Sequence, residues 1–144
     1  MGELLAFHIA RRDFSKVYDR VELGGVAVIQ RRGSRPVVVA DLEEEQQRLA
    51  ELCPFHPEVL RADDGSVAVW LPEFGVYGQG ANLIEAAEDL LDEILQYARE
   101  WEGQLRHAPN HALNRGWVRR VQLALGRNQL HDWVFAGQQS GTDS

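Results

Sequence analysis

Residues 10–39 read ARRDFSKVYDRVELGGVAVIQRRGSRPVVV, and this stretch decides the fold of the first half. Phe14, Val17, Tyr18 and Val21 recur at helical spacing, so residues 10–23 are expected to form one amphipathic helix. Gly24 and Gly25 end it, because glycine enters the left-handed backbone region at no steric cost. Residues 26–30 then read as an apolar strand. Arg31, Arg32, Gly33 and Ser34 make a tight turn, and residues 36–40 return as a second strand.

Working outward, Leu4 to Ile9 is an apolar run expected to be a strand. Downstream, Asp41 is placed to cap a helix whose first turn holds Glu43, Glu44 and Glu45, acids that suit the positive end of a helix dipole. Leu42, Leu49 and Leu52 lie on that helix, and Pro54 and Pro57 bracket an expected linker. The second half opens with strands over residues 58–62 and 66–71, joined by the hairpin signal Asp63-Asp64-Gly65. A third strand is expected over residues 74–78. Asn82, with Glu85 three positions on, announces a capped helix carrying Leu83, Ala87, Leu90, Ile94 and Trp101 on its apolar face. A basic helix over residues 113–125 and a short segment with Leu130, Trp133, Val134 and Phe135 follow. Residues 137–144 are polar and read as a disordered tail.

Charge is segregated. The net charge of −7 hides an excess of four positive charges over residues 10–36, from Arg11, Arg12, Lys16, Arg20, Arg31, Arg32 and Arg35 against Asp13, Asp19 and Glu22. Residues 37–104 hold sixteen acids against Arg48, Arg61 and Arg99. Residues 105–136 are basic again, with five Arg facing Asp132 alone. A basic module attracts phosphate through its local field even in an acidic protein, although a solvated charged surface has the same composition. Cys53 is the sole cysteine, which excludes an intrachain disulfide, and no apolar run approaches the about 20 residues of a membrane span. Met1-Gly2-Glu3 carries no basic leader, so a cytoplasmic protein without membrane contact is expected.

The pieces between Ala10 and Val39, in their order of helix, Gly-Gly turn, apolar strand, basic-Gly turn and strand after Pro36, resemble the Phd/YefM ("prevent-host-death") antitoxins. The resemblance covers residues 3–52, with Ser34 as an extra turn residue and Ile9 where that family usually has Glu. It implies a module that dimerises through its sheet and binds operator DNA. Carried over, Arg11 and Arg12 at the start of the first helix face DNA, with Lys16 beside them and Arg31, Arg32 and Arg35 in the turn. Arg suits that role because it clamps phosphates and reads guanine edges bidentately.

The second half is similar to a different antitoxin fold. Gly65 to Phe74, then Gly78-Gln79-Gly80, then Asn82-Leu83-Ile84-Glu85-Ala86 resemble HicB, a reduced RNase H-like unit of sheet plus helix, over about residues 58–101. The resemblance implies that this half binds a toxin. Its acidity suits an RNA-cleaving, hence basic, partner, for which the RelE class is the family-based expectation.

Motifs of nucleotide binding, zinc proteolysis, serine hydrolysis and calcium binding are missing. Asp63-Asp64 reads as a hairpin turn, and Glu73 as a loop acid. His107 and His111 have metal-ligand spacing, but Pro109 between them opposes a continuous helix, so neither a metal nor another cofactor is expected. The basic helix near the C-terminus is open to three readings: a core-packing helix, a second nucleic-acid contact, or a toxin-binding element. The last would place Trp117, Arg119, Arg120 and Trp133 at the toxin, with an aromatic anchor.

The sequence therefore predicts an α+β chain of two modules, residues 1–52 and 58–136. It reads as a non-enzymatic antitoxin that is a homodimer, represses its own operon and covers its toxin. The competing readings are a stand-alone transcription regulator with a ligand-sensing second half, and an enzyme with a degenerate RNase H-like site.

Overall fold

A computed structural model describes residues 4–139, and the fold is mixed α+β. Two compact units emerge, Met1–Gln47 and Arg48 onward. The division falls inside the third helix, whereas the sequence places it after Leu52.

The first unit runs β1 (Leu4–Ala6), α1 (Phe7–Arg12), α2 (Phe14–Glu22), β2 (Ala27–Gln30) and β3 (Val37–Val39), and enters α3 (Leu42–Leu52). β1 pairs parallel with β2, and β2 antiparallel with β3. A parallel pair needs a crossover of a dozen or more residues, and α1 and α2 supply it. The expected strand over residues 4–9 is accordingly shorter, because the chain turns into helix at Phe7. The single expected helix is two, broken at Asp13 with φ −109° and ψ 36°. At the break the Asp13 N–H donates to the Ile9 carbonyl, and the Asp13 carbonyl accepts from Lys16 and Val17. Gly24, at φ +94°, turns the chain into β2. Ala10, Val17, Ala27 and Ile29 form the core, with Leu5 and Val39 packed against it.

The second unit holds β4 (Glu58–Arg61), β5 (Val67–Leu71) and β6 (Val76–Gly80) as an antiparallel meander. The long helix α4 (Leu83–Gly103) follows, then a 3-10 turn (Leu105–His107), α5 (Pro109–Ala112), α6 (Arg115–Leu123) and α7 (Arg127–Gln139). β6 starts two residues later than expected, because Phe74 and Gly75 donate back to the Leu71 carbonyl in a turn. Phe74 is therefore a buried turn residue, stacked on Tyr97 at 4.5 Å and edge-on to Phe55 at 6.0 Å. The segment around Trp133 is a full helix that continues through Gln139, past the expected start of the tail; residues 140–144 lie outside the described residues.

Val67, Val69 and Leu71 point from β5 into a core shared with Leu90, Leu91 and Ile94 of α4 and with Val118, Leu130 and Val134 of α6 and α7. α4 starts as expected: Asn82 Oδ1 accepts from the Glu85 N–H at 2.9 Å, and Glu85 Oε2 reaches back to the Ala81 N–H at 2.8 Å. Gly78 lets the helix lie on the sheet, since a Cβ there would strike the Ala86 carbonyl and the Leu90 backbone. Arg127 ties α7 to α4 through Glu88 Oε2 at 2.9 Å and Asp92 Oδ1 at 2.8 Å.

Candidate functional site

The first unit keeps all six predicted DNA-facing residues, Arg11, Arg12, Lys16, Arg31, Arg32 and Arg35, exposed. Their setting differs from expectation in one respect. Arg11 and Arg12 lie in the last turn of α1, since that helix begins at Phe7. The field there favours the cations themselves and provides no anion site. Arg12 also forks onto its neighbour, with Nε 3.3 Å from Asp13 Oδ1 and Nη2 3.1 Å from Oδ2. This hydrogen-bonded pair holds the Asp13 carboxyl below its usual range and raises the guanidinium. Lys16 sits in the first turn of α2. Arg31 and Arg32 follow β2 directly and line a groove of about 660 Å³ with Phe7 and His8 at the start of α1. Arg31 and Arg32 thus share one groove, whose lining includes neither Arg11 nor Arg12.

The same sheet has an uncovered face. Leu4, Val28 and Val38 are register partners across its three strands. They alternate with Ala27 and Ile29, which face the helices, so they lie on the opposite side. Leu4 is 59% exposed and Val38 61%.

Of the four residues expected at the toxin, Trp117, Arg120 and Trp133 make contacts within the second unit and Arg119 is exposed. Arg120 is buried at 6% exposure, a correction to its expected place on the surface. Its Nη1 donates to the Cys53 carbonyl at 3.0 Å, and its guanidinium lies over the rings of Phe55 at 4.9 Å and Trp133 at 5.2 Å. Burial pushes its pKa down. Trp133 is half-buried in this contact. Trp117 is half-buried too and donates Nε1–H to the Pro54 carbonyl at 2.9 Å. Arg119 alone of the four is exposed. α6 therefore anchors residues 53–55, the segment expected to be a linker, and Gly116 gives Cys53 room because a Cβ there would strike its sulfur. The sequence signal for this was Gly116 inside an otherwise helical pattern.

Reading the second half by motif passes over the outer face of its sheet. The register sets Glu58, Trp70 and Tyr77 in one row and Leu60, Ala68 and Gln79 in the next. Both rows face away from α4. The signal was the alternation in β5, which sends Val67, Val69 and Leu71 inward and leaves Trp70 outside. Leu60 is 57% and Tyr77 51% exposed, and the Trp70 and Tyr77 rings lie 6.2 Å apart. The Gln79 N–H on the free edge of β6 is taken by Asp89 Oδ2 at 2.8 Å.

The acids considered for chemistry are held in structural contacts. Asp64 accepts from the Ser66 hydroxyl at 2.6 Å and its N–H at 2.9 Å, which lowers its pKa. Glu73 Oε1 lies 2.7 Å from His56 Nδ1. His111 Nδ1 lies 2.7 Å from the Tyr97 hydroxyl, which also accepts from Asn114. Among the described residues no three His, Cys, Asp or Glu side chains converge as a metal site, and no helix is long and apolar enough to cross a membrane.

A family model described as "PHD_like: Antitoxin of toxin-antitoxin, RelE / RelB, TA system" matches residues 1–133. The chain belongs to this family and is an antitoxin of a toxin–antitoxin system. Its fold is shared with a crystal structure described as an antitoxin part of a toxin/antitoxin system from Syntrophomonas wolfei subsp. wolfei. That similarity has a TM-score of 0.70 at 17% identity and covers 91% of this chain and 95% of the other. No curated protein matches the chain by sequence.

Proposed function

We propose that this antitoxin acts by binding alone, in the cytoplasm: it covers a toxin of RelE class and, as a homodimer, represses the operon that encodes both. The first unit is the Phd/YefM-like dimerising and DNA-binding module, and the second the HicB-like module that takes the toxin. The observation that carries this reading is the pairing of an uncovered apolar sheet face with exposed arginines on one small unit. Burying Leu4, Val28 and Val38 against a second copy removes apolar surface that the unit's own thin core leaves in water. It also doubles the cationic set and relates its halves by two-fold symmetry, which suits two half-sites of an operator.

Arg31 and Arg32 are the stronger DNA candidates. They lie together beside a groove, whereas Arg12 is engaged with Asp13. The test is a gel-shift titration of the chain on the DNA upstream of its own gene, at several salt concentrations. Arg31→Ala with Arg32→Ala is expected to weaken binding at least about tenfold and to flatten the salt dependence by roughly two phosphate contacts. Arg11→Ala with Arg12→Ala is expected to weaken it less. Unchanged affinity in both double variants overturns the DNA assignment.

A further inference from the structure

The geometry points to the outer face of the β4–β5–β6 sheet, centred on Leu60, Trp70 and Tyr77, as the surface that receives the toxin through the toxin's basic face. This inference rests on the direct-binding reading and gives it a location. Leu60 and Tyr77 are more than half exposed although both are large and apolar, and each sits on a rigid strand. Exposed aromatic and aliphatic side chains held in place by a sheet lose little rotamer freedom on docking, which makes them effective anchors.

Relief and charge define the partner. A groove of about 470 Å³ opens at the hairpin end of the sheet, lined by Leu60, Ala62, Ala68 and Gln79. A second concavity of about 380 Å³ runs along β6 beside Tyr77, with Asp89 and Glu93 in its wall. Glu58 stands next to Trp70 in the register, and Asp63 and Asp64 form the turn beside Leu60. An apolar centre with a polar rim is the usual anatomy of a protein interface, and here the rim is anionic, with Arg61 as its one nearby cation among the lining residues. This repels a phosphate backbone and steers a cationic protein. The partner lies on the face and does not extend the sheet at β6, because Asp89 occupies the Gln79 N–H that an added strand would need.

The test uses the full chain and the purified product of the reading frame adjacent to its gene, with affinity measured by calorimetry and association rate by stopped-flow fluorescence. Leu60→Ser with Tyr77→Ser is expected to weaken binding at least tenfold while the circular dichroism spectrum and thermal midpoint stay at wild-type values. Glu58→Gln, Asp63→Asn and Glu93→Gln together are expected to slow association about tenfold at low salt and to remove most of its salt dependence. If the wild-type chain fails to bind, the direct-binding reading falls and this surface with it. If the wild type binds and the Leu60/Tyr77 variant binds equally, the surface assignment falls alone. Two further results overturn it: sedimentation showing that the Leu60/Tyr77 variant has lost self-association, which makes the face a contact between copies, or tryptophan quenching by a single-stranded RNA 12-mer that Tyr77→Ser abolishes, which makes it a base-stacking platform.

Discussion

The two units of this antitoxin bury their apolar residues in opposite ways. The second unit closes a core on itself: Leu71, Leu90, Leu91, Ile94, Leu130 and Val134 are all less than 2% exposed. Among its described residues the first buries four small or medium side chains and leaves Leu4, Phe7, Phe14, Tyr18, Val37 and Val38 each more than 40% exposed. A unit of fewer than fifty residues has too little interior for independent stability. The difference teaches that the second unit closes its own core, while the first leaves an apolar face open, the face on which the proposed homodimer would form.

Breaking the scaffold gives the largest effect. Gly78→Val drives a branched side chain into the backbone of α4 at Ala86 and Leu90, neither of which can yield as a flexible side chain would. A loss of about 3 kcal/mol or more is expected in the urea transition of the second unit. Next comes the first unit. Leu4→Asp with Val38→Asp places like charges on the uncovered sheet face, and sedimentation is expected to show monomers. The stability of the first unit then loses its dependence on protein concentration, worth about 2.7 kcal/mol at a hundredfold excess over the dimer dissociation constant. Dimers that persist in this variant would break the comparison.

Arg120 sharpens it within the second unit. Arg120→Ala removes the donor to the Cys53 carbonyl and the packing on Phe55 and Trp133, and is expected to cost about 2 kcal/mol. Arg119→Ala, one residue away and exposed, is expected to stay within about 0.5 kcal/mol in the same denaturation experiment.

The smallest effect is at alkaline pH. Burial raises the Tyr97 pKa above its ordinary 10.0, so the folded state holds the phenol proton more tightly than the unfolded chain does. This contribution is fully present below the unfolded pKa and is lost as pH rises through the raised folded value. Thermal unfolding of the second unit between about pH 8 and 11 is expected to show that decline, and Tyr97→Phe to flatten it.

Much of this was legible in the sequence, where the signal is local. The Gly24 and Gly65 turns, the Asn82–Glu85 cap and the alternation in β5 each depend on neighbours a few residues apart, and these features appear where they are expected. What the sequence hid depends on distant partners. Arg120 reads as a surface cation until Phe55 and the Cys53 carbonyl, 67 residues upstream, close around it. Phe74 reads as a strand residue until the turn over Leu71 places it on Tyr97. The break at Asp13 has no counterpart in the apolar spacing of residues 10–23, which reads as one helix.

The most direct test of the account is a growth assay in which the product of the adjacent reading frame is expressed alone, with this chain, and with its Arg31→Ala/Arg32→Ala variant. The account predicts that the neighbour arrests growth alone and that both forms of the chain restore it, because the proposed function assigns neutralisation to the second unit. A harmless neighbour, or a toxic one that this chain fails to neutralise, contradicts the pairing; rescue by the wild type but not by the arginine variant contradicts the division of labour between the units.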